Sequence, residues 1–144
     1  MKKSIIAIFL LGAVMVSCNV FKCKKEASAA TLAGTWELNY VTGPRIAFDG
    51  LYPNKKPVIT FDLKENRVSG NSSCNSFSGQ FTVDGNKVDL TQPMMMTKMM
   101  CGDGQGEQVF MSTLQKADTY AITEDGKTLN LISGDIATMR FTRK

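Results

Sequence analysis

From Leu32 onward the chain alternates apolar and polar residues one by one, and this period of two confines it to strands with a single buried face. Trp36, Leu38 and Tyr40 alternate with Glu37 and Asn39, and Ile59, Phe61 and Leu63 follow the same rule. So do Leu129 with Leu131, and Ala137 and Met139 with Phe141. Phe77, Phe81 and Val83 share one face with Gly79 between them, and Val88 with Leu90 continue beyond a turn. Gly43-Pro44, Lys64-Glu65-Asn66, Glu124-Asp125-Gly126 and Gly134-Asp135 punctuate the runs; Asp84-Gly85-Asn86 supplies residues tolerant of positive φ, a hairpin signal. The pattern changes once. Between Glu107 and Ala117, Phe110, Leu114 and Ala117 fall on a helical stripe, and Asp103 is placed to start it. Trp36, Tyr40, Phe61, Phe77, Phe81 and Phe141 are assigned to the core. The expectation is an α+β, mainly β domain: about seven or eight short antiparallel strands in a small, partly open β-barrel or curved sheet, with one packed helix.

The first eighteen residues carry a different message. Lys2 and Lys3 precede an apolar run from Ser4 to Val16, too short to span a bilayer with assurance and of the length of a secretory signal. Ser17 and Cys18 follow at once, which resembles the lipobox of bacterial lipoproteins, although Met15 stands where leucine is commonest. That resemblance implies that the Cys18 thiol is lipidated and becomes the mature N-terminus; the blander alternative is an ordinary signal with an incidental cysteine. The division is therefore 1–17 signal peptide, 18–31 lipidated N-terminus and tether, and 32–144 domain. The expected location is the bacterial cell envelope, lipid-anchored, in the outer membrane. Charge supports the division. The net charge is +4, yet residues 1–30 hold five lysines and one glutamate, leaving twelve basic and twelve acidic side chains beyond them. The domain has no basic field for nucleic acid. Lys22, Lys24 and Lys25 would face head groups or simply keep the tether solvated.

There are four cysteines and no histidine. In an exported chain the lone domain pair, Cys74 and Cys101, is expected to form a disulfide, leaving Cys23 in the tether without an obvious mate. Two distant cysteines without histidine make a poor zinc site. A redox-active pair is the sharper alternative, but no flanking histidine or CxxC spacing lowers a thiol pKa. Catalysis is disfavoured as well: the commonest general base is missing, Asp84, Asp125 and Asp135 sit at turns, and no GxSxG or phosphate-cradling glycine motif occurs. No metal and no cofactor is expected.

Three segments point to a family. Cys74-Asn75-Ser76-Phe77-Ser78-Gly79 resembles the "CNxFxG" core of the META domain, the HslJ-like bacterial family. Met96-Thr97-Lys98-Met99-Met100-Cys101 is similar to its threonine–methionine–cysteine signature, and Leu32 to Leu38 resembles its opening strand. Ser73 departs from the glycine that often precedes the cysteine. The resemblance implies a partly open barrel with one packed helix, similar to a lipid-binding pilotin of type III secretion. It also implies links to heat shock, novobiocin resistance or virulence, and no reaction.

Five methionines, at 94, 95, 96, 99 and 100, allow three readings: core filler, a deformable apolar wall, or a soft copper(I) site. Met96, Met99 and Met100 lie within the family-like motif, which favours core packing; Met94 and Met95 are freer to reach the surface. Arg45 to Lys56 is read as a loop that either caps a pocket or folds back on the barrel. The candidate binding wall is Met94, Met95 and Met99 with Phe48 and Tyr52. The expected function is a monomeric, membrane-anchored, non-catalytic module that binds an apolar ligand, such as lipid, or an envelope-protein partner. The alternative is a stress-protective structural protein without a ligand, and thiol-redox or copper-binding roles are weaker.

Overall fold

The computed structural model describes residues 32–144 apart from Asp103 and Glu124. The expectations for Cys18, Cys23 and the tether fall outside the described residues. Strands β1 (Gly34–Val41), β2 (Val58–Asp62), β3 (Arg67–Asn71) and β4 (Ser76–Gln80) form an antiparallel meander, with a four-residue helix α1 (Phe48–Leu51) between the first two. Then come β5 (Thr82–Asp84), β6 (Lys87–Asp89), β7 (Met95–Met96), helix α2 (Gly104–Leu114), β8 (Thr119–Ile122), β9 (Thr128–Ser133) and β10 (Ile136–Arg143). All join one ten-stranded sheet in the order β5-β6-β8-β9-β10-β1-β2-β3-β4-β7.

That order dictates the shape. Only Phe81 separates β4 from β5, yet they lie eight places apart in the sheet. Flat, eight inter-strand steps of about 4.8 Å would part them by nearly 40 Å, far beyond the reach of a one-residue link. The sheet must therefore curl until its ends meet, and Phe81 is the corner, its N–H held by the Asn66 carbonyl at 3.0 Å. The mainly β, barrel-like expectation stands. The strand number rises to ten because this corner splits one expected strand in two and Met95–Met96 adds a short edge strand.

One face of the curled sheet supplies Trp36, Leu38, Ile59, Phe61, Leu129, Leu131, Met139 and Phe141, all essentially inaccessible. Helix α2 covers that face. Its Phe110 ring lies 5.7 Å from Phe77 and 6.5 Å from Phe141, and Leu114 is fully buried one turn later. Burying a side chain of this size contributes about 1.5–3 kcal/mol, so this stripe is what fixes the helix, whose bounds fall three residues earlier than the sequence pattern indicates.

Tyr40 corrects the core assignment: it is 42% exposed. Leu38 pairs with Phe141 and Tyr40 with Arg140, so Asn39 is an extra residue on β1, a bulge that reverses the alternation. Val41 takes the inward place, and the Tyr40 ring instead lies beside the Arg140 guanidinium. A second irregularity at Thr138 leaves Ala137 exposed.

The register gives the domain two distinct ends. Gly34, Phe61, Val68 and Gly79 form one cross-strand row, and Glu37, Val58, Asn71 and Ser76 the row toward the other end. The chain enters β1 at the Gly34 end. The Ser72–Asn75 turn, the segment after β7, the Arg45–Lys56 loop and the start of α2 gather at the opposite end.

Candidate functional site

Asn75 organises that opposite end. It is 4% exposed, and all four hydrogen-bonding positions of its amide are filled. Oδ1 accepts the Met99 N–H at 2.7 Å and the Thr97 hydroxyl at 2.8 Å. Nδ2 donates to the Met99 carbonyl at 3.3 Å and to Glu107 Oε1 at 3.2 Å. By engaging both the N–H and the C=O of Met99, the side chain stands in for a strand neighbour. It prolongs the β4–β7 ladder past Ser76, whose own backbone is met by Thr97. A short polar residue at a strand end does this readily, because asparagine can mimic a backbone amide.

Glu107, in the first turn of α2, completes the knot. Its Oε2 accepts the Asn75 backbone N–H at 3.0 Å and lies 2.7 Å from the Ser72 hydroxyl. The single Ser72 proton has a second acceptor 2.9 Å away, the Asn75 carbonyl. Ser72 is completely buried, and among the described residues no buried side-chain N or O lacks a partner. A carboxylate at a helix N-terminus is favoured by the helix dipole, and here the same group also reaches the β3–β4 turn.

Cys74 and Cys101 are joined, with Cα atoms 6.0 Å apart across a separation of 27 residues. The bridge ties the turn to the segment that Asn75 already holds. This end is thus fastened twice, once covalently and once by a filled amide.

The Arg45–Lys56 loop folds back on the barrel. Leu51 and Tyr52 are buried and Phe48 is half-buried. The Tyr52 hydroxyl donates to the Gly106 carbonyl at 3.0 Å, and burial pushes its pKa up to about 12. A Cβ at Gly106 would overlap the Leu51 carbonyl, so glycine lets loop and helix touch. Tyr52 therefore cannot line an outward-facing wall: it braces α2.

The methionines divide differently from the expectation. Met94 and Met96 pack partly against the core, and Met95 is 71% exposed. Met99 and Met100, whose place in the motif favoured the core, are 62% and fully exposed, and for Met99 this agrees with its place in the candidate wall. Asn75 explains the reversal: it grips the segment through the Met99 backbone, while the disulfide holds Cys101, and the thioether side chains are left outside. Gly79 lies beneath Met94, where a Cβ would come within 2.9 Å of Met94 Cγ.

An open groove of about 530 Å³ lies at the sheet seam, lined by Asn66, Gln80, Phe81, Thr82, Val83 and Gln92. It sits at the Gly34 end, remote from the stapled turn, and its lining is largely amides and hydroxyl rather than thioethers. Among the described residues no cluster of three or more His, Cys, Asp or Glu is placed to hold a metal. Asp89 and Asp125 are held below the usual carboxylate range, chiefly by the Thr91 and Thr123 hydroxyls, so these acids serve turns.

Sequence reasoning named Asn75, Cys74 and Cys101 but missed Ser72 and Glu107. Glu107 carried only the signal of an acid in a first helical turn, which does not disclose a partner 32 residues away.

Comparison with known proteins agrees with this architecture. An NMR structure of a protein from Burkholderia xenovorans is similar with a TM-score of 0.62 at 22% identity, over 81% of this chain and 87% of that one. A second NMR structure gives 0.56 at 22% identity over 78% and 90%. The crystal structure of a DUF4847 family protein from Bacteroides vulgatus gives 0.52 at 16% identity over 79% and 94%. At these identities they establish the fold alone. No curated protein matches the chain. The META domain family profile matches residues 29–144, spanning every element described above. The chain belongs to the META domain family.

Proposed function

We propose that this is a lipid-anchored envelope protein whose META domain binds another envelope protein without catalysis, through the stapled segment from Met95 to Cys101. The observation that carries this reading is the combination of a doubly fixed backbone with Met95, Met99 and Met100 directed outward. Leaving several large apolar side chains in water on a rigid segment is costly unless something covers them, and thioethers adapt to varied partners. An enclosed apolar ligand is supported less well. Trp36, Phe61, Phe81, Phe110, Tyr120 and Phe141 are all buried in one hydrophobic core.

Polarity of the domain favours a protein partner over the anchoring bilayer. The tether joins at the Gly34 end, opposite the stapled segment, and that arrangement supports presentation of the stapled end away from the membrane that an anchor at Cys18 would occupy. The non-catalytic reading draws on Glu107: its carboxylate is committed to Ser72 and Asn75 and has no free role as a base.

The test is native mass spectrometry of protein extracted from membranes. The expected species carries a lipid mass on Cys18 and a stoichiometric protein partner. That partner should be absent from Met95→Gln/Met99→Gln/Met100→Gln protein of unchanged melting temperature. Equal recovery of the partner with both proteins refutes the surface. Membrane retention of Cys18→Ser protein refutes the anchor.

A further inference from the structure

We infer that Met95, Met99 and Met100 form a reversible oxidation site, at which two-electron oxidants of the hypochlorous-acid class switch the exposed surface from apolar to polar while the domain stays folded. This rests on the surface reading above only for its consequence, the loss of a partner; the site itself rests on exposure and backbone anchoring. Thioether oxidation follows access, and here access is sharply graded within one chain. Met95, Met99 and Met100 are 71%, 62% and fully exposed, whereas Met139 is completely buried in the core. Met94, Met96 and Met111 lie between, packed partly against it.

The second observation concerns what holds the segment. Met95 pairs with Ser78 and Met96 with Phe77 through their backbones. Met99 is held by its N–H and C=O on Asn75, and Cys101 by the disulfide. Each fastening uses main chain or cysteine, none a thioether. Oxidation of a buried methionine would insert a polar group into packing and open the core. At these three positions it changes only what faces solvent.

The chemistry closes. The thioether sulfur donates an electron pair to the oxygen of hypochlorous acid, the S–O bond forms, and the O–Cl bond breaks. Chloride departs with the bonding pair, and the hydroxyl proton passes to water. Sulfur loses two electrons and chlorine gains two. A reductase dithiol reverses the change: the sulfoxide oxygen leaves as water, taking two thiol protons, and the dithiol becomes a disulfide. The existing Cys74–Cys101 bridge takes no part, its sulfurs being already joined.

The experiment treats the mature protein with limiting hypochlorous acid and maps sulfoxides by peptide mass spectrometry over time. Expected are rates at Met95, Met99 and Met100 at least ~10-fold above that at Met139, with an unchanged circular-dichroism melt. Retention on a phenyl hydrophobic-interaction column should fall on oxidation and recover with methionine sulfoxide reductases. Met95→Leu/Met99→Leu/Met100→Leu protein should be retained like the untreated wild type and ignore the oxidant. Comparable oxidation of Met139, melting of the oxidised domain, or oxidant-sensitive retention of the leucine variant each overturns the proposal. If oxidation follows the expected order while the glutamine variant keeps its partner, the binding reading fails and the oxidation site stands.

Discussion

Glu107 in helix α2 accepts both the backbone N–H of Asn75 at 3.0 Å and its side-chain amide at 3.2 Å, so one carboxylate fastens the helix to a turn 32 residues earlier. The same amide holds Met99 on its other side. Asn75 is therefore the single residue through which three separate segments are positioned. Its chemistry suits the task because it presents both an acceptor and a donor to Met99 while donating to Glu107 as well. Aspartate has nearly its shape and lacks the donors.

Replacing Asn75 with aspartate should thus be more damaging than its size suggests. Asn75→Asp places a second carboxylate beside Glu107 and removes the donor to the Met99 carbonyl. A buried polar group left unpaired costs about 1–3 kcal/mol, and repulsion adds to it, so a loss of about 2–4 kcal/mol is expected. Asn75→Ala should lose less, about 2–3 kcal/mol, because it adds no charge. Chemical denaturation of the two variants checks the order; an aspartate variant as stable as wild type refutes this account of the knot.

Because the amide and the disulfide restrain the same segment, their losses should not add. Reducing the bridge alone relieves a loop constraint of about 3–4 kcal/mol in the entropy model, with Asn75 still seating Met99. The reduced wild type is expected to stay folded, with Trp36 still shielded. Reduced Asn75→Ala protein frees the segment altogether. A double-mutant cycle with Cys74→Ser/Cys101→Ser should show a coupling of about 0.5–3 kcal/mol, and additivity within error would place the two restraints on independent elements.

Tyr52 should set the alkaline limit of stability. Its pKa rises to about 12 in the folded chain through burial, against about 10 when unfolded. Between those values the folded state holds more protons, so the contribution is complete below pH 10 and is lost as pH climbs toward 12. Tyr52→Phe removes the bond to the Gly106 carbonyl and should cost about 1 kcal/mol at neutral pH. The gap from wild type should then narrow above pH 10. Buried Tyr120, raised for the same reason, supplies the alkaline slope that persists in the variant. Denaturation midpoints from pH 8 to 12 measure both effects, and a pH-independent gap would contradict the burial of the phenol.

The closing strand carries a second anchor at the tether end. Arg143 lies 4.1 Å above the Trp36 ring and donates to the carbonyls of Gly126 at 2.8 Å and Ala33 at 2.9 Å. Arg143→Ala should cost about 2 kcal/mol through the lost stacking and two orphaned carbonyls. Arg143→Lys should recover less than half of that, since an ammonium cannot stack flat and reach both acceptors. Thermal melts followed by Trp36 fluorescence decide between them. Equal stability of the lysine variant and wild type would show that charge alone matters.

How much of this was legible beforehand follows from where the signals are local. Alternation marked Trp36, Leu38, Ile59 and Phe61 correctly because each side chain's fate is set by its own strand. Tyr40 misled because the Asn39 bulge is a property of the pairing with β10, and nothing in the run Leu38-Asn39-Tyr40 announces an extra residue. Phe81 hid a corner for the same reason: its meaning lies in a sheet order visible only in three dimensions. At the stapled end the cysteines were readable as a pair, and Asn75 as part of the motif that resembles the family. Glu107 and Ser72 were not, since a carboxylate's partner across 35 residues leaves no periodic trace. The motif pointed Met99 and Met100 toward the core because it marks where the fold grips their backbone, not where their side chains go.

Ser73 is where this chain departs from the glycine expected before the cysteine, and the backbone shows what that costs. Its φ is +94°, a region that β-carbon sterics disfavour, and the turn is kept there by the bond from its N–H to Asn71 Oδ1 at 3.0 Å and by the disulfide next door. Ser73→Gly should relieve the strain by more than the added freedom of the unfolded chain opposes it, a net gain of about 0.5–1 kcal/mol. Ser73→Ala keeps the Cβ and should show no such gain. Melting temperatures of the two variants, measured with the bridge intact, separate backbone relief from any effect of the lost hydroxyl. A glycine variant no more stable than the alanine one would mean that the surrounding restraints, rather than the Cβ, set the energy of this turn.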